Sequence, residues 1–278
     1  MGPAVAEATS PAGSLPPKRR ELLFARVASA VVLALLALGA TLVGGWAFNI
    51  VIAIAGVLMV YEWDRLCGGP AYGPFGTAHA ATVVLAVILT GNGRVGAALA
   101  VVLLAAMLTS VLARGRGRDA RWVAGGQLYI AIPVIACVWL RADEDVGRLA
   151  VLGLFAIVWA TDTGAYFTGR TIGGPRLAPT ISPGKTWSGL WGGVAAATVV
   201  ALIVGHLASL EPLWVVGVAG ALLSLVGQIG DLGKSKVKRH FQVKDSGTLI
   251  PGHGGMIDRL DSTLATMPLL AIALALWL

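Results

Sequence analysis

Asp258 and Asp261 stand three residues apart in the stretch HGGMIDRLDS, residues 253–262, just before the apolar run that closes the chain. On a helix that spacing puts both carboxylates on one face. Asp231 ends the preceding apolar run, and the polar segment between them carries Lys234, Lys236, Lys238, Arg239 and Lys244, with Arg259 between the two aspartates. Carboxylates at the edge of a bilayer are costly and do nothing for anchoring, so cations must accompany them. The mixture suits a metal–polyphosphate site. Magnesium takes one or two carboxylates together with substrate phosphates, and Lys and Arg neutralise the remaining phosphate charge. We therefore expect Asp231, Asp258 and Asp261 to bind metal and carry the catalysis. Lys238 and Arg239 are expected together on substrate phosphates, with Ser235, Lys244 and Arg259 as further substrate contacts. Gly252, Gly254 and Gly255 would let backbone approach a phosphate, and His253 among them would orient the loop or touch that phosphate. For any single lysine the plain alternative is an anchor for anionic headgroups.

A second polar stretch lies upstream. Asp162, in the company of Thr161, Thr163 and Tyr166, is expected to bind substrate at the end of an apolar run, against the plain reading of a polar helix end. In SPGKTWSG, residues 182–189, Lys185 and Thr186 are placed to hold a phosphate, although a Lys-Thr pair without the rest of a P-loop is a weak signal. Ser182 and Pro183 read as the start of the helix that follows.

What positions these groups is a membrane. Of 278 residues 56% are hydrophobic and 13% charged, whereas soluble domains are about one-quarter charged. Apolar runs long enough to cross a bilayer predict nine helices, over 27–43, 46–62, 77–90, 95–113, 122–140, 146–167, 188–206, 213–230 and 263–278. The fold class expected is all-α and polytopic, with a disordered basic tail over 1–26, N-terminal membrane helices over 27–140 and a catalytic membrane region over 141–278. The two long polar loops, 168–187 and 231–262, then fall on the same side as the N-terminus. With that side cytoplasmic, only Arg94, Arg141 and Arg148 of the 21 Lys and Arg residues lie outside, as the positive-inside rule requires. The net charge of +7 comes from these short clusters, so a nucleic-acid partner is set aside. Cys67 and Cys137, far apart and without a metal-binding spacing, read as packing residues.

The run from Ser235 to Asp261, SKVKRHFQVKDSGTLIPGHGGMIDRLD, closely resembles the signature of the phosphatidate cytidylyltransferases, also called CDP-diacylglycerol synthases. DTGAYFTGRTIG, from Asp162 to Gly173, and SPGKTWSG resemble that family's other cytoplasmic elements, although Gly184 and Ser188 stand where many members have Lys and an acidic residue. Arg26 and Glu62 also fall where the family tends to have such residues. The resemblance implies transfer of the cytidylyl group of CTP to phosphatidic acid in the bacterial inner membrane. It also implies dependence on magnesium, a potassium ion at the same site, Asp231, Asp258 and Asp261 as the metal-binding carboxylates, and a homodimer. Two other readings compete: another CTP-using lipid enzyme, and a cation-coupled transporter. A transporter calls for ionisable residues near the bilayer centre, whereas here Asp162, Asp231, Asp258 and Asp261 gather at one surface.

Overall fold

The computed structural model describes residues 17–70, 73–144, 146–250 and 254–277. Among the described residues nine helices follow one another: α1 (Pro17–Val43), α2 (Gly45–Leu66), α3 (Pro74–Gly91), α4 (Val95–Gly115), α5 (Ala120–Ala142), α6 (Gly147–Thr171), α7 (Trp187–Leu207), α8 (Leu213–His240) and α9 (Met256–Trp277). Each contains a window apolar enough to cross a membrane. Large side chains such as Leu103, Leu104, Met107 and Val111 of α4 point outward, which a bilayer solvates and water does not. All nine helices expected from hydropathy are present.

Three departures from expectation stand out, two where backbone hydrogen bonding continues a helix beyond its apolar run and one where a loop forms strands. The first helix begins at Pro17, inside the stretch expected to be a disordered tail, because proline suits the first helical position and Lys, Arg, Glu and Leu after it are good helix formers. Between α6 and α7 the chain forms a two-stranded antiparallel hairpin, β1 (Arg176–Ala178) and β2 (Ser182–Thr186), with Arg176 opposite Thr186 and Ala178 opposite Ser182. Ser182 and Pro183 therefore lie in a strand and do not open the next helix. That start belongs to Thr186, whose Oγ1 accepts a hydrogen bond from the Gly189 amide, the usual N-cap arrangement. Most consequential, α8 continues to His240 and α9 begins at Met256, so much of the segment read as a polar loop is helix.

The α6–α7 seam is built from small residues. A methyl group on Gly193 would sit 2.9 Å from the Thr161 carbonyl oxygen, and one on Gly189 at 2.9 Å from that of Ala165. The two backbones thus approach as closely as membrane helices with small-residue interfaces do. On the other side of the bundle α5 packs against α2, α3, α4 and α9, around Val83, Val102, Ile130 and Val134. Cys137 is buried in a second apolar cluster, and both cysteines are free.

Candidate active site

The continuation of α8 puts Asp231, Lys234 and Lys238 on one face, three and four residues apart, and α9 lies against that face. Lys234 is the centre. Its Nζ bonds Asp261 Oδ2, stands 3.2 Å from Asp258 Oδ1 and 3.9 Å from Asp231 Oδ1, and its side chain is only 4% exposed. A single ammonium therefore touches all three aspartates expected to act together. In the sequence Lys234 was one of the basic residues of the metal–polyphosphate mixture, with no role of its own; its offsets from Asp231 and Lys238 were the available signal.

Asp258 is saturated. It accepts from Lys238 Nζ at 2.9 Å, from the Ser246 amide at 2.8 Å and hydroxyl at 3.0 Å, and from the Gly255 amide at 3.3 Å. Asp261 also takes the Ser262 amide at 2.6 Å. Asp231 is more open, and its Oδ2 meets Lys185 Nζ at 2.6 Å.

The turn that presents Asp258 is held from far away in sequence by Glu62 of α2. Its two oxygens accept the Met256 amide at 2.7 Å and the Ile257 amide at 2.9 Å, and Ser246 Oγ lies 3.3 Å away. Helix-terminal amides need such partners, and a carboxylate there also meets the positive end of the helix dipole. Glu62 is 1% exposed. Gly247 and Gly255 leave room for it: a methyl group on Gly247 would come within 2.9 Å of its Oε1. Gly255 thus brings backbone close to Glu62 and Ser246, where a phosphate had been expected.

Beside this cluster opens a cavity of about 650 Å³, between α6, the hairpin, the start of α7 and α8. Asp162, Arg170, Arg176, Lys185, Gln228 and Asp231 are among its lining residues. Arg170 donates to the Tyr166 hydroxyl at 2.8 Å. The Gln228 side chain donates to the Leu190 carbonyl at 3.3 Å, and the Gln228 backbone carbonyl accepts from Lys185 Nζ at 3.4 Å. Gly184 lines the cavity with open space beside its Cα. Ser188 bonds the Gly173 carbonyl and lies 3.0 Å from Thr186 Oγ1, so it pins the Gly173–Gly174 turn at the edge of the cavity.

The remaining expected residues scatter. Lys238 and Arg239 part company: Lys238 pairs with Asp258, whereas Arg239 Nε reaches the Ile181 carbonyl of the hairpin turn at 3.3 Å. Ser235 lies on α8 without lining this cavity. Lys244 is exposed in the α8–α9 connection, and Arg259 is exposed on α9 within electrostatic reach of Asp162. His253 and Gly252 lie outside the described residues. Arg170, Arg176 and Gln228 were not singled out in the sequence; nothing marks them until the hairpin folds over α8.

Among the described residues no group of His, Cys, Asp and Glu forms a ready metal site; the three aspartates are tied to lysines. The donor set nonetheless fits a hard cation. Carboxylate oxygens are the ligands magnesium prefers, and these three can surround one positive centre, as Lys234 demonstrates.

A bundle of membrane helices with carboxylates, lysines and a basic cavity at one end describes a membrane-embedded enzyme acting on phosphates. The chain belongs to the cytidylyltransferase family, whose model matches residues 24–277. It is 42% identical over 248 residues to the phosphatidate cytidylyltransferase of Brucella suis biovar 1 (strain 1330), covering 88% of this chain and 90% of that one. Over 151 residues it is 41% identical to the phosphatidate cytidylyltransferase of Bacillus subtilis (strain 168), covering 54% of this chain and 56% of the other.

Proposed function

We propose that this protein transfers the cytidylyl group of CTP to phosphatidic acid, giving CDP-diacylglycerol and pyrophosphate. A phosphate oxygen of phosphatidate attacks the α-phosphorus of CTP, and the bond from that phosphorus to the bridging oxygen of the pyrophosphate breaks. The nucleophile is already anionic at neutral pH, so no general base is needed. What remains for the protein is positioning and neutralising charge.

The observation that carries this reading is the convergence of Asp231, Asp258 and Asp261 on Lys234 beside a cavity holding Arg170, Arg176 and Lys185. In this reading the cavity takes the triphosphate, Asp162 faces the nucleotide, and Lys185 and Lys234 exchange carboxylate partners for phosphate oxygens as substrates arrive. Glu62 and Ser246 keep Asp258 in place throughout. Magnesium, held by Asp231, Asp258 and Asp261 when bound, supplies the charge neutralisation that steadies the triphosphate and the leaving pyrophosphate. Potassium is proposed at the same site. The family resemblance supports a homodimer in a bacterial inner membrane. The distribution of Lys and Arg supports placing the active end in the cytoplasm, where CTP is soluble and the lipid is at hand.

The test uses protein purified in detergent with CTP, magnesium and phosphatidate, monitored for pyrophosphate. Release should require all three components, and diacylglycerol should not replace phosphatidate. Release with diacylglycerol would turn the reading toward a different CTP-dependent lipid enzyme.

A further inference from the structure

At the far end of the bundle from the carboxylate cluster, where α1 turns into α2 and α5 ends, lies a polar opening of about 410 Å³. From Gly45 at this opening α2 runs to Glu62 beside the cluster, about 25 Å of helix. The lining includes Arg141 of α5, Asn49 of α2 and Arg148 at the start of α6. Cytidylyl transfer makes no use of these residues.

Two polar side chains here are buried without the partners that burial calls for. Arg141 is 8% exposed, and its Nε donates to the Thr41 carbonyl at 2.7 Å, its one hydrogen bond among the described residues. That bond satisfies a carbonyl near the end of α1, as basic side chains at helix C-termini do. It leaves the two terminal guanidinium nitrogens, all donors, for the opening that Arg141 lines. Asn49 is also 8% exposed and has no side-chain hydrogen bond among the described residues. Buried polar groups in that condition are costly, and a ligand supplying acceptors removes the cost. Glycines make the room. A methyl group on Gly44 would run into the Arg141 guanidinium, and one on Gly91 would stand 2.6 Å from Asn49 Nδ2.

We propose that this opening holds the phosphate of a membrane phospholipid from the leaflet at that end, with the Arg141 fork and the Asn49 amide donating to its oxygens. A planar guanidinium matches phosphate geometry. Arg148, exposed at the rim, adds a second positive charge, while Glu144, exposed beside it, pairs with neither arginine among the described residues. The surroundings favour a lipid over a free anion. Leu42, Val43 and Trp46 line the same opening and are exposed, and an unattached phosphate gains nothing from them. They suit the glycerol and first acyl carbons, at the depth where membrane proteins concentrate tryptophan. A lipid bound there fastens the α1–α2 turn to α5.

The experiment is native mass spectrometry of the purified protein, delipidated in detergent and titrated with dioleoyl phosphatidylglycerol, dioleoylglycerol or inorganic phosphate. The unmodified protein should take up phosphatidylglycerol and far less dioleoylglycerol. Arg141→Gln should weaken that binding by roughly tenfold, the loss of charge-assisted hydrogen bonds, and Asn49→Leu and Arg148→Ala by about three- to fivefold each. The difference between proteins reports this site, since lipid taken up at the catalytic end is common to all of them. Pyrophosphate release by Asn49→Leu and Arg148→Ala should stay within about twofold of normal. Should Arg141→Gln not purify, the other two variants read out the same opening. Equal uptake of the two lipids, or phosphatidylglycerol binding that none of the variants weakens, overturns the proposal. So does binding of inorganic phosphate that depends on Asn49 and Arg148 without lipid uptake, which would mean a free anion.

Discussion

The first turn of α9 and the cavity wall made by α6, the hairpin and α8 are built from the same residue types, yet they stand in opposite conditions. At the first, Asp258 is only 4% exposed and fully bonded, and Glu62 locks the turn beneath it. At the second, Asp231 is 31% exposed beside an open cavity, and its strongest partner, Lys185, lies on a strand that closes over it. A site for a polyanion needs both conditions. Ligating oxygens must be held still, because positioning is most of the catalysis, and the basic groups must be free to exchange partners when phosphate arrives.

If that division holds, the largest effect belongs to the three carboxylates that the two regions bring together. Asp258→Asn, which keeps shape and removes charge, should lower the rate of pyrophosphate release by roughly 100- to 1000-fold, as should Asp261→Asn and Asp231→Asn. Excess magnesium should restore little of it. Near-normal turnover in any of the three would remove that residue from the cluster's function.

Glu62→Gln comes next and sharpens the contrast, because it should act on stability and not on CTP recognition. It weakens hydrogen bonds to a buried charged acceptor, with a loss of about 1.5–3 kcal/mol, visible as a lower Tm in detergent while the CTP KM stays near normal. A raised CTP KM without any fall in Tm would put Glu62 on the substrate side of the comparison.

On the open wall, Arg176→Ala should raise the CTP KM by roughly tenfold and make it less sensitive to salt, since a charged contact to a polyanion has gone. The smallest effect is expected at Arg239→Ala. Its contact is one exposed hydrogen bond at 3.3 Å to the Ile181 carbonyl, so turnover and both KM values should stay within about twofold. If Arg239→Ala matches Arg176→Ala, the basic run of α8 contacts substrate after all.

These contrasts follow how far the sequence could be read. The nine spans were legible because a bilayer demands long apolar runs, and Asp258 and Asp261 because helical spacing puts them on one face. Lys234 was not. Hydropathy ends α8 at residue 230, where charge begins, but a helix of Lys, Leu and Gly continues while its backbone bonds continue and α9 packs against it. Glu62 depends on contacts to Met256 and Ile257 that no local pattern reports. Arg170 and Arg176 matter only through the hairpin, whose strands are too short to announce themselves.

The most direct measurement of the central claim follows the phosphates themselves, in parallel reactions with CTP radiolabelled on the α-phosphate or on the γ-phosphate and phosphatidate as acceptor. Cytidylyl transfer at the Asp231–Asp258–Asp261 cluster predicts that the α-label enters the lipid fraction and the γ-label leaves as pyrophosphate, with both lost in Asp258→Asn. Appearance of the γ-label in lipid would mean phosphoryl transfer, and would contradict the account.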